Sequence, residues 1–240
     1  MTATIVVTRD GAIDLDLRAA LENAGFQLAT VPLIAFQAHP LPQQVQQELE
    51  KADWLFCTSA TAFECFLPHL PSSIQIASIG EQTSRSIREA GRSVTFESAS
   101  QYGKDFIAEW LALGLERQKI LFPQSHLANP IIAEGLRQEG HAVLAWEMYD
   151  TVANQAGQGQ LATYLELDRV LWTFASPSAW HSFTEVIQKL PVSHKIAVIG
   201  KTTAQAVMES GYEVDLMPDK PSITAMLETI IDKEKRYGIF

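Results

Sequence analysis

One local pattern occurs twice in this chain, about half a chain apart. Each copy contains an apolar segment, a turn rich in small and hydroxyl residues, a helical segment, a second apolar segment ending in Gly, and another hydroxyl-rich helix start. The copies cover residues 54–91 and 171–211, and both close on a helix that ends in Gly. Solenoid repeats are much shorter than this spacing. The duplication therefore predicts two similar domains, each with a matching set of turns.

A second unit is also repeated, and its position leaves two assemblies open. Residues 5–36 and 119–150 share the order strand, turn, helix, Gly, strand. The four units therefore alternate along the chain. Either neighbouring units pair sequentially, which the residues favour slightly, or the middle stretch forms one domain and the two termini close the other.

Short apolar strands alternate with helices along most of the chain. Segments such as 54–57 and 170–174 are continuously apolar, as strands buried on both faces are. Helices are predicted between them, for example over 14–24 and 179–190, and a short last strand over 214–217. This alternation predicts an α/β fold with parallel sheets covered by helices on both faces.

Composition narrows the function classes. The 240 residues carry a formal net charge of −10, which argues against a general nucleic-acid binder. Backbone N–H groups at helix starts still bind anions without net positive charge. Cys57 and Cys65 are the only cysteines and give neither a disulfide framework nor a metal-ligand spacing. The sequence offers no signal peptide and no membrane-spanning apolar run, so we expect a cytoplasmic protein without membrane contact.

Four hydroxyl-rich turns follow predicted strands at equivalent places in the two copies. They are residues 58–61, 80–83, 176–178 and 200–203. Helix capping alone accounts for any one of them, since Ser and Thr are favoured N-caps and Pro is favoured at the next position. Together they lie where parallel sheets bind ligands, at the carboxyl ends of strands. They predict a binding face for an anionic ligand in each domain.

The other motifs of the sequence give less information about function. The string Gly157-x-Gly159 matches part of a dinucleotide fingerprint but follows a polar stretch instead of a strand, so we expect a flexible loop there. The six histidines show no ligand spacing, and no nucleophile elbow is present. The residues therefore predict no metal, no cofactor and no classical nucleophile. Tyr149 lies in an extended segment, where packing with a hydrated hydroxyl is its simplest role.

The whole chain resembles the uroporphyrinogen-III synthase family. The matching strings, whose order and spacing carry the resemblance, are 7–9, 21–36, 56–62, 79–83, 121–123, 149–152, 174–179 and 199–204. The resemblance implies two flavodoxin-like parallel-sheet domains joined by two extended linker strands, with a cleft between them. It implies a middle domain over 38–148, a terminal domain from 1–37 plus 153–240, and linkers near 31–37 and 147–153.

The family resemblance also implies a reaction. The substrate would be hydroxymethylbilane, a linear tetrapyrrole with carboxylate side chains. Its dehydration and cyclisation, with inversion of ring D, would give uroporphyrinogen III in heme biosynthesis without any cofactor. A cytoplasmic monomer is implied, with transient contact to the preceding hydroxymethylbilane synthase. The alternative from another class is a two-domain binding protein that holds an anionic metabolite and performs no chemistry.

Site residues follow from the same resemblance. Tyr149 matches the family's candidate for assisting departure of the substrate hydroxyl, as a proton donor or hydrogen-bond partner. The implied substrate-binding residues are Thr8, Arg9, Thr58, Ser59, Ala60, Gly80, Thr83, Gln124, Ser176, Pro177, Ser178, Gly200, Lys201, Thr202 and Thr203. Three positions depart from the common pattern: Gln124 replaces a frequent Arg, and Ala60 and Lys201 stand where Pro is common.

Overall fold

The computed structural model describes residues 2–100 and 102–240. Contacts divide the chain into two compact units. The terminal unit consists of Met1–Ala35 and Val152–Phe240, and the middle unit consists of Phe36–Thr151. The chain therefore passes from one unit to the other twice.

Strands and helices alternate along both units, which confirms the predicted α/β class. The strands are β1 (Ala3–Val7), β2 (Phe26–Thr30), β3 (Ile34–Ala38), β4 (Trp54–Cys57), β5 (Gln75–Ile79), β6 (Phe96–Ser98), β7 (Lys119–Ser125), β8 (Ala142–Ala153), β9 (Val170–Phe174) and β10 (Lys195–Val198). The helices are α1 (Leu15–Asn23), α2 (Gln43–Glu48), α3 (Ala60–Phe66), α4 (Glu81–Glu89), α5 (Gly103–Leu111), α6 (Ile131–Gln138), α7 (Gln155–Gln158), α8 (Leu161–Leu165), α9 (Pro177–Val186), α10 (Lys201–Glu209) and α11 (Ile223–Tyr237). Within the described residues, no helix is both long enough and apolar enough to cross a membrane.

The terminal unit contains a parallel sheet in the order β10-β9-β1-β2. Outside β10, Leu216 forms an isolated parallel bridge to Ala197 where the sequence predicts a strand over 214–217. If β1, β2, β9, β10 and the bridge at Leu216 are numbered one to five, the sheet has the order 2-1-3-4-5 of a flavodoxin-like sheet. Its last strand is reduced to that one bridge. Because β1 and β2 share a sheet with β9 and β10, the slight preference for sequential pairing is wrong.

The middle unit contains the same sheet in permuted form. Its strands lie in the order β8-β7-β4-β5-β6, all parallel, with β3 added outside β8. If β7 and β8 are numbered first and second, and β4, β5 and β6 third to fifth, the sheet again has the flavodoxin-like order 2-1-3-4-5. The repeated units of the sequence are therefore interleaved: the first combines with the fourth, and the second with the third.

Each sheet is buried on both faces, which explains the continuously apolar strands. In β9, Trp172 packs in a cluster with Trp180 and Phe183, while its neighbour Leu171 packs in a cluster with Leu227 on the other face. Alternate residues of a strand point to opposite faces, so both sets need apolar cover. Burying one such large side chain contributes about 1.5–3 kcal/mol.

A buried histidine in the terminal unit sets an expected pH dependence of stability. The Nδ1 atom of His194 accepts the indole N–H of Trp172 at 3.1 Å, and Nε2 lies 2.8 Å from the carbonyl oxygen of Leu167. Since an indole nitrogen only donates, the ring is held neutral. Burial lowers the pKa of His194 below its ordinary 6.5.

Protonation of His194 therefore favours the unfolded chain. The contribution of neutral His194 to the free energy of unfolding should be fully present above the ordinary histidine pKa. It should be lost as the pH falls below that pKa. We expect His194→Gln, which keeps one acceptor and one donor, to flatten this fall between neutral pH and about pH 5. Urea unfolding at several pH values measures it, with the exposed His181→Gln as control. An unchanged slope in His194→Gln would assign the pH dependence to other groups, such as His141, whose pKa burial also lowers.

Candidate active site

Two predicted residues of the terminal unit follow β1. Thr8 is fully buried, and its hydroxyl donates to the carbonyl oxygen of Thr173 at 2.6 Å. Its N–H donates to the same carbonyl, and its own carbonyl accepts from Leu33. Thr8 therefore joins β1 to β9 and presents no exposed polar side-chain atom. Arg9 is half-buried, and its Nε donates to the carbonyl oxygen of Asp10 at 2.8 Å.

The remaining predicted residues of this unit open helices α9 and α10. Ser176 caps α9, because its hydroxyl oxygen accepts the N–H of Ala179 at 3.2 Å. Pro177 and Ser178, which follow it, are half-buried. At the start of α10, Gly200 is the N-cap, Lys201 and Thr202 are exposed, and Thr203 is buried. Both helix starts lie at the carboxyl ends of strands, where unpaired backbone N–H groups favour anions.

The middle unit repeats this arrangement at β4 and β5. Ser59 caps α3 by accepting the N–H of Ala62 at 3.3 Å, with half-buried Thr58 before it and Ala60 after it. Gly80 caps α4 at φ +83°, a left-handed conformation that favours Gly. Thr83, in the first turn of α4, is buried.

Tyr149 lies on β8 beside an irregularity of the ladder. Gln124 of β7 pairs with Glu147, but the next residue of β7, Ser125, pairs with Tyr149, so Met148 is an extra residue. Such bulges re-aim the side chains around them. The Tyr149 side chain is 7% exposed, and its hydroxyl lies 3.1 Å from the hydroxyl oxygen of Ser59. The ring of Phe36 packs against that of Tyr149 at right angles, with centroids 5.4 Å apart.

A cavity of about 750 Å³ lies at the carboxyl ends of β4 and β7. In the permuted count these two strands are the point where strand order reverses, which is the usual ligand position in such sheets. Four predicted residues line the cavity: Thr58, Ser59, Gln124 and Tyr149. Ala60, Gly80 and Thr83 lie at the same edge of the sheet but outside the cavity lining.

The cavity also contains polar residues that the sequence analysis missed. They are Tyr102, Lys104, Asp105, Ser125 and Asn129. The first three belong to the turn and helix start that follow β6. Because β6 is only three residues long, the apolar pattern did not predict it, and the turn at its carboxyl end was missed with it.

A second group of ionisable side chains meets at Asp150, the residue after Tyr149 on β8. The Nε2 atom of His39 is 2.9 Å from Oδ2 of Asp150, and the Nδ1 atom of His126 is 3.2 Å from Oδ1. The hydrogen bond to Asp150 raises the pKa of His39 above its ordinary value. The proximity of these histidines depends on strand pairing and not on spacing along the chain, so the sequence alone did not predict it.

Taken together, the fold and the cavity define an α/β protein with a polar cavity at strand carboxyl ends. The family model described as uroporphyrinogen-III synthase HemD matches residues 16–228. The chain therefore belongs to the uroporphyrinogen-III synthase family. It is an enzyme of tetrapyrrole synthesis, a cyclising lyase that acts on a small molecule.

Two curated relatives align with almost the whole chain. The chloroplastic uroporphyrinogen-III synthase of Oryza sativa subsp. japonica is 29% identical, over 98% of this chain and 82% of its own length. The uroporphyrinogen-III synthase of Chlorobaculum parvum is 24% identical, over 90% of this chain and 93% of its own.

Solved structures share the fold. The crystal structure of uroporphyrinogen-III synthetase from Helicobacter pylori superposes with a TM-score of 0.69 at 18% identity, covering 95% of this chain and 97% of that one. A mutant uroporphyrinogen III synthase from Thermus thermophilus gives a TM-score of 0.53 at 16% identity, covering 95% and 96%. At these identities the structures support the architecture alone.

Proposed function

We propose that this chain converts hydroxymethylbilane into uroporphyrinogen III by dehydration, inversion of ring D and ring closure. The observation that carries the proposal is the Tyr149–Ser59 hydroxyl pair, 3.1 Å apart in the lining of the polar cavity. The pyrrole nitrogen of the substrate supplies the electron pair that expels the hydroxyl group. The enzyme has to donate or position one proton and hold the linear tetrapyrrole in a folded conformation.

In this mechanism Tyr149 donates its phenolic proton to the departing hydroxyl, which leaves as water. Ser59 orients the phenol, since its oxygen is itself fixed by the N–H of Ala62. The N-protonated azafulvene that remains bonds to the substituted carbon of ring D and forms a spiro intermediate. The original bond of ring D to the chain then breaks and re-forms at its other, free carbon, which inverts the ring and closes the macrocycle. The proton that ring D loses on closure returns to the Tyr149 phenolate. Positioning of this kind converts an unlikely encounter into an intramolecular step.

The substrate carboxylates would bind to helix starts and a few side chains. In the middle unit we assign this role to Thr58, Ser59, Gln124 and Lys104, which share the cavity lining. The remaining proposed contacts are Ala60, Gly80 and Thr83 in this unit, and Arg9, Ser176, Pro177, Ser178, Gly200, Lys201, Thr202 and Thr203 in the terminal unit. Backbone N–H groups and these few cations let a protein with net charge −10 hold a polyanion.

The domain organisation and cellular context belong to the same proposal. We assign residues 38–148 to an inserted domain, residues 1–37 and 153–240 to a discontinuous one, and the linkers to about 31–37 and 147–153. The enzyme acts as a cytoplasmic monomer and receives its unstable substrate by transient contact with hydroxymethylbilane synthase.

An isomer assay tests this function directly. Purified protein is mixed with freshly prepared hydroxymethylbilane, the products are oxidised, and the porphyrin isomers are separated by chromatography. Spontaneous closure gives isomer I, so a predominance of isomer III without added metal or cofactor is the expected result. Only isomer I at the uncatalysed rate would overturn the proposal and favour a protein that binds an anionic metabolite without turnover.

A further inference from the structure

The bulge in β8 brings together two carboxylates that a regular strand would separate. Glu147 and Asp150 are three positions apart, and residues at that spacing in a regular strand point to opposite faces. The extra residue Met148 changes this alternation. As a result, ligand-capable atoms of Glu147, Asp150 and His39 all lie within 4.8 Å of one another.

These three residues offer a compact set of metal ligands. The imidazole of His39 contributes a nitrogen, and the two carboxylates contribute oxygens, from two chain segments that meet in the middle unit. The backbone N–H of His39 donates to the carbonyl oxygen of Met148, which fixes the segment after β3 against the bulge. All three side chains are solvent-accessible, so an ion can enter without rearrangement of the core.

A fourth residue supports the cluster from outside. His126 holds Oδ1 of Asp150 at 3.2 Å while Oδ2 faces His39. In metal sites, a partner that hydrogen-bonds a ligating carboxylate fixes its orientation and strengthens binding. Asp150 is therefore oriented toward His39 by a residue that need not itself contact the ion.

We propose that His39, Glu147 and Asp150 bind a divalent metal ion such as Zn²⁺. One imidazole and two carboxylates suit Zn²⁺, Co²⁺ or Mn²⁺, whereas Mg²⁺ prefers oxygen ligands and retains its water. The site lies beside the proposed catalytic Tyr149 and takes no part in the dehydration proposed above. Its existence therefore does not depend on the proposed function.

Metal titration of the tag-free chain of 240 residues tests the proposal. Isothermal titration calorimetry with ZnCl₂ at neutral pH should give one saturable site, and Co²⁺ should show the visible absorption of a nitrogen–oxygen site. Losing a ligand should weaken Zn²⁺ binding more than about tenfold, so we expect this of His39→Gln, Asp150→Asn and Glu147→Gln. Glu147 is exposed, so its substitution tests the site even where the others disturb folding.

Two control variants separate this site from other zinc ligands. His181→Gln removes an exposed histidine elsewhere, and Cys65→Ser removes the more accessible thiol. Both should bind Zn²⁺ as the unmodified chain does. The proposal is overturned if no stoichiometric site is found, if Glu147→Gln binds as tightly as the unmodified chain, or if Cys65→Ser abolishes binding.

Discussion

Tyr149→Phe should lower kcat by at least about tenfold, which corresponds to roughly 1.4 kcal/mol of transition-state stabilisation. The substitution removes one hydroxyl and keeps the ring that packs against Phe36. The free energy of unfolding should therefore change by no more than about 1 kcal/mol, the usual contribution of one hydrogen bond. Initial rates of uroporphyrinogen III formation at saturating hydroxymethylbilane measure the effect.

Two further variants show whether the hydroxyl acts at the site. Tyr237→Phe removes the same group from a side chain that is 81% exposed on α11, and it should leave kcat unchanged. Ser59→Ala should lower kcat and also cost about 1 kcal/mol of stability, because it removes the cap of α3.

If the two hydroxyls act as a pair, the rate losses of Tyr149→Phe and Ser59→Ala will not add in the double variant. Additive losses would mean that the two hydroxyls affect the rate independently and do not act as a pair. An unchanged kcat in Tyr149→Phe would remove Tyr149 from the mechanism.

Much of the fold could be predicted from local sequence. The strand over 54–57 is specified by its continuous apolar residues. The end of helix α1 is specified by Gly25, which adopts φ +91°. Strand β6 escaped prediction because three residues carry too little pattern. The segment 214–217 was predicted as a strand from its apolar residues, but only Leu216 bridges to β10. Helix α9 is shorter than predicted, since Ile187 adopts an extended conformation and turns into the core.

The site was less predictable than the fold. Thr58 and Ser59 follow an obvious strand, so their position at the sheet edge could be anticipated. The bulge at Met148 could not, because one extra residue in a ladder depends on the partner strand and leaves no mark in the apolar pattern. The same limit applies to His39 and Asp150, which lie 111 positions apart in sequence and meet only through strand pairing.

Gly157 is the clearest case in which tertiary contact overrode the local pattern. The sequence predicted a flexible loop around it, but the structure has helix α7 with Gly157 buried. Asn154 caps this helix by accepting the N–H of Gly157 at 3.3 Å. A Cβ atom on Gly157 would lie 2.0 Å from the carbonyl oxygen of Pro32, far inside van der Waals contact. Only Gly fits this approach of two backbones.

Gly157→Ala should therefore destabilise the terminal unit by about 3 kcal/mol or more, at the upper end of the usual cost of overpacking. The Pro32 carbonyl has little room to move, because the next residue, Leu33, donates its N–H to Thr8 and accepts the N–H of Asn154. Gly159→Ala is the matched control, since its Cβ would meet the nearest backbone oxygen at 3.4 Å. That variant should stay within about 0.5 kcal/mol of the unmodified chain. Urea unfolding midpoints compare the two, and equal midpoints would show that the backbone around Pro32 relaxes to accept a methyl group.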